Sequence, residues 1–138
     1  MKNGLFITGT STDVGKTVVT AGILRYLRKR GQDIVPMKPV QTGAVQDGDG
    51  WRAPDLEFHL QAAELTAQPE ERPWMSPYCY EPACSPHLAG RMADRYLSID
   101  HCYECAMELG SRHQGVLIEG AGGLLVPLNE DETQLSLI

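Results

Sequence analysis

The residues richest in chemistry are Gly9-Thr10-Ser11-Thr12-Asp13-Val14-Gly15-Lys16-Thr17, a run bounded by two glycines and closed by a lysine and a hydroxyl. An apolar run, Leu5-Phe6-Ile7-Thr8, precedes it, and a helical repeat of Val19, Ile23 and Leu27 follows. A loop between strand and helix presents successive backbone N–H groups and a helix N-terminus to one point, which suits a phosphate chain. Lys16 would add a positive charge there, and the Thr17 hydroxyl would supply an oxygen ligand for magnesium. Five residues, Thr10 to Val14, separate the glycines, one more than the general phosphate-binding loop has.

Four further side chains extend this site. Lys38 directly follows a second apolar run, Ile34-Val35-Pro36-Met37, and Thr42 lies shortly after it. In a doubly wound sheet the ligand crevice opens at the carboxyl ends of the strands, so Lys38 and Thr42 are expected to face the same cleft as Lys16. Glu119 ends the apolar run Gly115-Val116-Leu117-Ile118 and precedes Gly120-Ala121-Gly122-Gly123. A carboxylate at a strand tip can reach a magnesium ion on the phosphates, and it can equally pair with a lysine. Asp55 stands in the first turn of a helix opened by Pro54, where it either joins the metal site or only complements the helix dipole.

The elements that must position these residues alternate strand and helix, which predicts a parallel sheet with helices on both faces. Arg28-Lys29-Arg30 and Gly31 end the first helix. Pro36 requires a place in its strand where no N–H donor is needed. Residues 43 to 53 read as a mobile, glycine-rich loop over the site. Leu56, Leu60 and Ala63 give the next helix its apolar face. Residues 67 to 82 read as irregular, with an extended piece at Tyr78-Cys79-Tyr80. Ser85-Pro86 is a helix start with an N-cap hydroxyl, and two helices broken near Ser98 run on to about Ser111. The third strand is nearly all apolar, as suits a parallel strand covered on both faces. Only three core strands can be counted, and residues 133 to 138 open a helix without a stop signal. The expectation is therefore a single domain over residues 1–138, the amino-terminal portion of a larger α/β domain left incomplete at its C-terminus.

Composition narrows the partners. Of 138 residues, 42% are apolar and 22% charged, and 12 basic against 18 acidic residues give a net charge of −6. That sign does not suit nucleic acid or an anionic membrane. No apolar run spans a bilayer and the N-terminus is not a signal peptide, so the expected location is the cytoplasm. Cys102 and Cys105 form a Cys-x-x-Cys pair beside His101, but with Ala106 and Leu109 they fall on one apolar helical stripe, and Cys79 and Cys84 are loosely spaced. Core packing is the preferred reading over a zinc or iron–sulfur site.

Four blocks, Gly9 to Thr17, Lys38-Pro-Val-Gln-Thr-Gly43, Glu81-Pro-Ala-Cys-Ser-Pro-His87 and Val116-Leu-Ile-Glu-Gly-Ala-Gly-Gly123, occur in an order and context that resemble the dethiobiotin synthetases. The five-residue gap is the spacing of that family; Ser11 before Thr12, where the family commonly has an acid, is a mild departure. The resemblance implies a P-loop fold and an ATP- and Mg2+-dependent closure of a cyclic urea on 7,8-diaminononanoate with CO2, a step of biotin biosynthesis. It implies Lys16, Lys38 and Thr12 as catalytic residues, and Thr12 and Thr42 as substrate contacts. The nucleotide would be held by Asp13, Val14, Gly15, Lys16, Thr17, Val18, Asp55, Glu119, Gly120, Ala121 and Gly122, and magnesium by Thr17, Asp55 and Glu119. It further implies a homodimer, with adenine-binding and partner-contacting residues beyond Ile138. A cobyrinate-amidating P-loop enzyme and a non-catalytic nucleotide-sensing module are the alternatives.

Overall fold

The computed structural model describes residues 3–138. Strand β1 (Gly4–Gly9) leads through the glycine-bounded loop into helix α1 (Lys16–Lys29), and β2 (Ile34–Met37) follows. Short strands β3 (Val40–Thr42), β4 (Val45–Asp47) and β5 (Gly50–Arg52) precede α2 (Pro54–Ala62), the single turn α3 (Arg72–Met75) and β6 (Tyr78–Tyr80). Helices α4 (Pro86–Met92) and α5 (Ile99–Arg112), strand β7 (Gly115–Gly123) and a 3-10 turn over Gln134–Leu137 complete the order.

The main sheet has the order β1-β7-β2 and is parallel throughout. Its central strand is the last in sequence, so both neighbours are reached by crossovers that contain helices. Burial accounts for the composition of β7: Val116 and Leu117 are buried beneath α1 and α5, which both pack on this strand. The register pairs Ile7 with Glu119 and Met37 with Ile118. That alignment brings the ends of all three strands, and hence the phosphate loop, Lys38 and Glu119, to one edge. Pro36 sits in β2, which pairs only with β7 in this sheet, so its missing N–H falls on an edge strand.

Two apolar clusters support this layer. One joins Val35 and Met37 of β2, Leu56 and Leu60 of α2, Met75, and Cys105, Ala106 and Leu109 of α5. The other joins Val40, Tyr78, Tyr80, Ala89, Leu97, Cys102 and Leu128. The cysteine stripe of α5 is therefore core, and burial pushes the Cys102 thiol up to about 12.

Several local expectations need revision. Residues 43 to 53 are not a featureless loop: β4 and β5 pair antiparallel, with Asp47 opposite Gly50 across a two-residue turn. Gly48 takes φ 60° there, a conformation that tight hairpin turns demand and glycine adopts freely. Polar, glycine-rich composition hid that pairing. Thr42, just before that stretch, ends β3 in parallel register with Tyr80 of β6. The stretch 67 to 82 contains α3 as well as the extended piece. The third strand continues through the glycines, because the backbone of Gly9 and Gly123 can approach closely enough to pair.

Candidate functional site

The cleft at the carboxyl ends of the strands has a volume of about 770 Å³ and is lined by the loop, by Lys38 to Thr42, by Asp55, by the start of α4 and by the end of β7. Its floor is the N-terminus of α1. Gly15 caps that helix at φ 103°, without any side-chain hydrogen bond to the first turn. No acidic residue lies in that turn, so no carboxylate of the helix itself offsets the positive end of its dipole, which faces the cleft. Asp13 also takes a left-handed conformation, φ 61°. A Cβ on Gly9 would come within 2.7 Å of the Val14 side chain and 3.3 Å of the Lys16 stem. The turn is thus tight at Gly9 and turned outward at Asp13 and Gly15, which exposes its backbone.

Lys16 folds over this loop and donates from Nζ to the Ser11 carbonyl at 2.7 Å. Burial lowers its pKa, reinforced by the charge of Lys38 and opposed by Glu119, Asp55 and Asp13. Lys38 is more deeply placed. Its ammonium donates to Glu119 Oε1 at 2.9 Å and to the Gly120 carbonyl at 3.3 Å, and it pairs with Asp55 Oδ2 at 2.8 Å. Three acceptors saturate its three protons.

Glu119, 1% exposed, is the centre of the arrangement. Its Oε1 also accepts from Thr17 Oγ1 at 2.9 Å. Burial pushes its pKa up, but the His59 contact and the Lys38 charge outweigh it and hold the carboxyl down at about 2. Asp55 is set by the helix that carries it: α2 begins at Pro54 with no side-chain cap of its own, and Gln41 Oε1 accepts from the Asp55 N–H at 3.2 Å instead. Both carboxylates face the cleft and both pair with Lys38; the lysine partner considered for Glu119 is thus present, and Asp55 gains one that its place in the first turn of α2 did not suggest.

Other predicted residues divide. Thr12, Asp13, Gly15, Lys16, Thr17, Val18, Thr42, Ala121 and Gly122 line the cleft. Val14 does not; its side chain packs over Gly9. Gly120 lies behind the wall, where its carbonyl receives Lys38 and where a Cβ would collide with the Gln134 carboxamide. Ser85 precedes α4 as expected but makes no capping bond; its hydroxyl pairs with His87 Nδ1 at 3.1 Å.

Sequence reasoning missed three buried polar residues. Gln41 was passed over because a glutamine after a strand carries no chemical signature. Gln134 donates to Thr8 Oγ1 at 3.0 Å and to the Gly123 carbonyl at 3.3 Å, tying the ends of β1 and β7 together. His59 stands with Nε2 2.7 Å from Glu119 Oε2. The approach is short but not aligned as a hydrogen bond, and neither atom has another partner. Only its spacing of four residues from Asp55 on an amphipathic helix could have signalled it.

Strand, glycine-bounded loop, helix N-terminus, lysine and a buried carboxylate on the neighbouring strand together define an α/β protein of the P-loop nucleotide-binding class. The chain belongs to the family described as AAA domain, whose model matches residues 3–138. It is 44% identical over 134 residues to the ATP-dependent dethiobiotin synthetase of Anaeromyxobacter sp. (strain Fw109-5), covering 97% of this chain and 57% of that protein. It is 42% identical over 128 residues to the same-named protein of Chromohalobacter salexigens, with 92% and 53% covered. For that of Nitrosospira multiformis the identity is 36% over 138 residues, with 100% and 58% covered. The chain thus spans somewhat more than half the length of these relatives.

Proposed function

We propose that residues 1–138 form the amino-terminal portion of a P-loop domain and carry the phosphate, magnesium and carbamate end of an ATP-dependent dethiobiotin synthetase site. The observation that carries this reading is the convergence of Lys16, Thr17, Lys38, Asp55 and Glu119 on one cleft above an uncapped helix N-terminus. The similar proteins named as dethiobiotin synthetases favour it over the amidating alternative.

The donor set suits magnesium. Thr17, Asp55 and Glu119 offer hard oxygens only, and fewer than a full protein cage, which matches a cation that keeps waters and takes phosphate oxygens. When bound, the ion neutralises charge on the transferring phosphate. Around it the chain positions and stabilises. Backbone N–H groups of Gly15 to Val18 and the ammonium of Lys16 hold the β- and γ-phosphates. Thr12, Thr42 and the backbone near Asp13 orient the carbamate formed when one amine of 7,8-diaminononanoate takes up CO2. A carbamate oxygen attacks the γ-phosphorus and ADP departs. The second amine then attacks the carbamate carbon, phosphate leaves with the C–O bond electrons, and the amine loses a proton as the ureido ring closes. Each step places negative charge on oxygens beside Lys16 and Lys38, so preorganised charge is the chief catalytic device. Lys38 reaches these oxygens by exchanging one of its three present acceptors.

The proposal includes a homodimer working in the cytoplasm. Among the described residues, no helix is long and apolar enough to cross a membrane. The test supplies ATP, magnesium, labelled bicarbonate and the diamine, and follows label into dethiobiotin. Label in product is expected; ATP binding without labelled product would leave a nucleotide-sensing module. Lys16→Ala is expected to abolish nucleotide binding, and Lys38→Ala to spare binding but stop ring closure.

A further inference from the structure

Helix α2 brings two side chains to the cleft from one face. Asp55 in its first turn reaches Lys38, and His59, four residues on, reaches Glu119. The imidazole is wholly buried, and its Nδ1 has no hydrogen-bond partner. A buried ring with an unsatisfied nitrogen destabilises a fold relative to an apolar side chain of similar size, and both Leu56 and Leu60 on the same helix are apolar core. Helix packing therefore gives no reason for histidine at this position.

The contact of Nε2 supplies one. The two oxygens of Glu119 face different surroundings. Oε1 meets Thr17 Oγ1 and Lys38 Nζ, each at 2.9 Å, on the side of the phosphate loop. Oε2 is directed back into the protein and has only His59, at 2.7 Å. Without that contact the second oxygen would be a buried anion with nothing opposite it, and the carboxylate could turn about its terminal bond to share both oxygens with Lys38. With it, the rotamer is fixed and one oxygen is offered forward.

We propose that His59 is a positioning residue that locks the Glu119 carboxylate so that Oε1, beside Thr17 Oγ1, is presented to the divalent cation accompanying the nucleotide, and so sets the affinity for that cation. The role rests on the 2.7 Å approach of Nε2 to an oxygen that has no other partner. It rests on the magnesium-nucleotide reading of the cleft, but not on the identity of the second substrate.

The test compares wild type with His59→Leu, His59→Gln and His59→Asn by calorimetric titration of magnesium into protein and ATP, with ATP binding in chelator as the reference. His59→Leu is expected to raise the magnesium concentration for half-saturation about tenfold to a hundredfold, the usual effect of removing a group that orients a metal ligand, with metal-free ATP affinity unchanged. His59→Gln, whose amide nitrogen extends about as far as Nε2, restores the wild-type value. His59→Asn is too short and does not. An unchanged magnesium requirement in His59→Leu would overturn the proposal, as would equal behaviour of the glutamine and asparagine variants. Should the leucine variant fail to fold, the glutamine and asparagine pair decides by itself. The readout is separate from product formation: a wild type that binds ATP with magnesium but makes no labelled dethiobiotin removes the proposed reaction and leaves the role of His59 to be judged on cation affinity.

Discussion

The two ends of the parallel sheet each carry a cluster of acids and cations, and they are built differently. At the carboxyl end, Lys38, Asp55, Glu119 and His59 are grouped around a carboxylate 1% exposed. At the amino end, Asp33 pairs with Arg28 at 3.1 Å and with His113 Nδ1 at 2.9 Å, while His113 Nε2 meets Glu71 at 3.1 Å. Here the Asp33 side chain is 47% exposed and each imidazole nitrogen has a carboxylate partner. Satisfied and partly wet, this cluster ties α3, β2 and the end of α5 together. The carboxyl-end cluster is more deeply buried, with Asp55 its most exposed side chain at 29%, and incompletely satisfied, with atoms of His59 and Glu119 unpartnered. A fold tolerates that cost where the groups have other work, and the cleft lies on that side.

The largest effect that would break this contrast comes from Lys38→Met, which leaves Asp55 and Glu119 without their cation. Breaking a buried pair from one side costs about 3–5 kcal/mol, read as a shift of the urea midpoint. A loss below that of the amino-end variants would show that the carboxyl-end charges are better hydrated than their burial implies. The penalty also has a pH signature. Glu119 has its folded pKa held at about 2, below the ordinary 4.5, so its stabilising contribution is complete above the unfolded value and is lost as pH falls through the folded one. The difference between wild type and Lys38→Met should therefore shrink between pH 4.5 and 2, a window set by those two values.

A smaller loss is expected from Gly120→Ala, because the added Cβ meets Gln134 and forces its carboxamide away from Thr8 and Gly123. Overpacking of this kind costs about 1–3 kcal/mol. Thermal unfolding would measure it, and the double variant Gly120→Ala with Gln134→Ala should recover part of the loss. The smallest effect belongs to Arg28→Gln at the amino end. Its pair with Asp33 is partly exposed, and such pairs contribute up to about 1 kcal/mol, less at high salt. A salt-independent loss comparable with that of Lys38→Met would erase the distinction between the two ends.

Much of the carboxyl end was legible from local sequence. The loop from Gly9 to Thr17, the place of Lys38 directly after β2 and the helix opening at Pro54 depend on short-range patterns, such as apolar runs, glycines at tight turns and a lysine at a helix start; Glu119, expected at the tip of its strand, lies in the middle of β7, because the strand runs on to Gly123. The three-stranded parallel sheet follows from the alternation of those runs, and the cysteine stripe of α5 from a single helical period. The hairpin at residues 45 to 52 was missed because its pairing depends on turn geometry within a stretch whose composition resembles open loop.

What the sequence alone determined was therefore the kind of site and the residues on its rim, because each of those is dictated by neighbours a few positions away. Tertiary structure decided which charges meet. Lys38 and Glu119 are 81 residues apart in the chain, and Thr17 and Glu119 are 102 apart; only the register of β7 between β1 and β2 brings them within hydrogen-bond reach. The same packing turns His59 of an otherwise apolar helix face toward Glu119, and draws Gln134 beneath the glycines of β7. Such contacts have no local signature, since they arise from how strands align and helices pack.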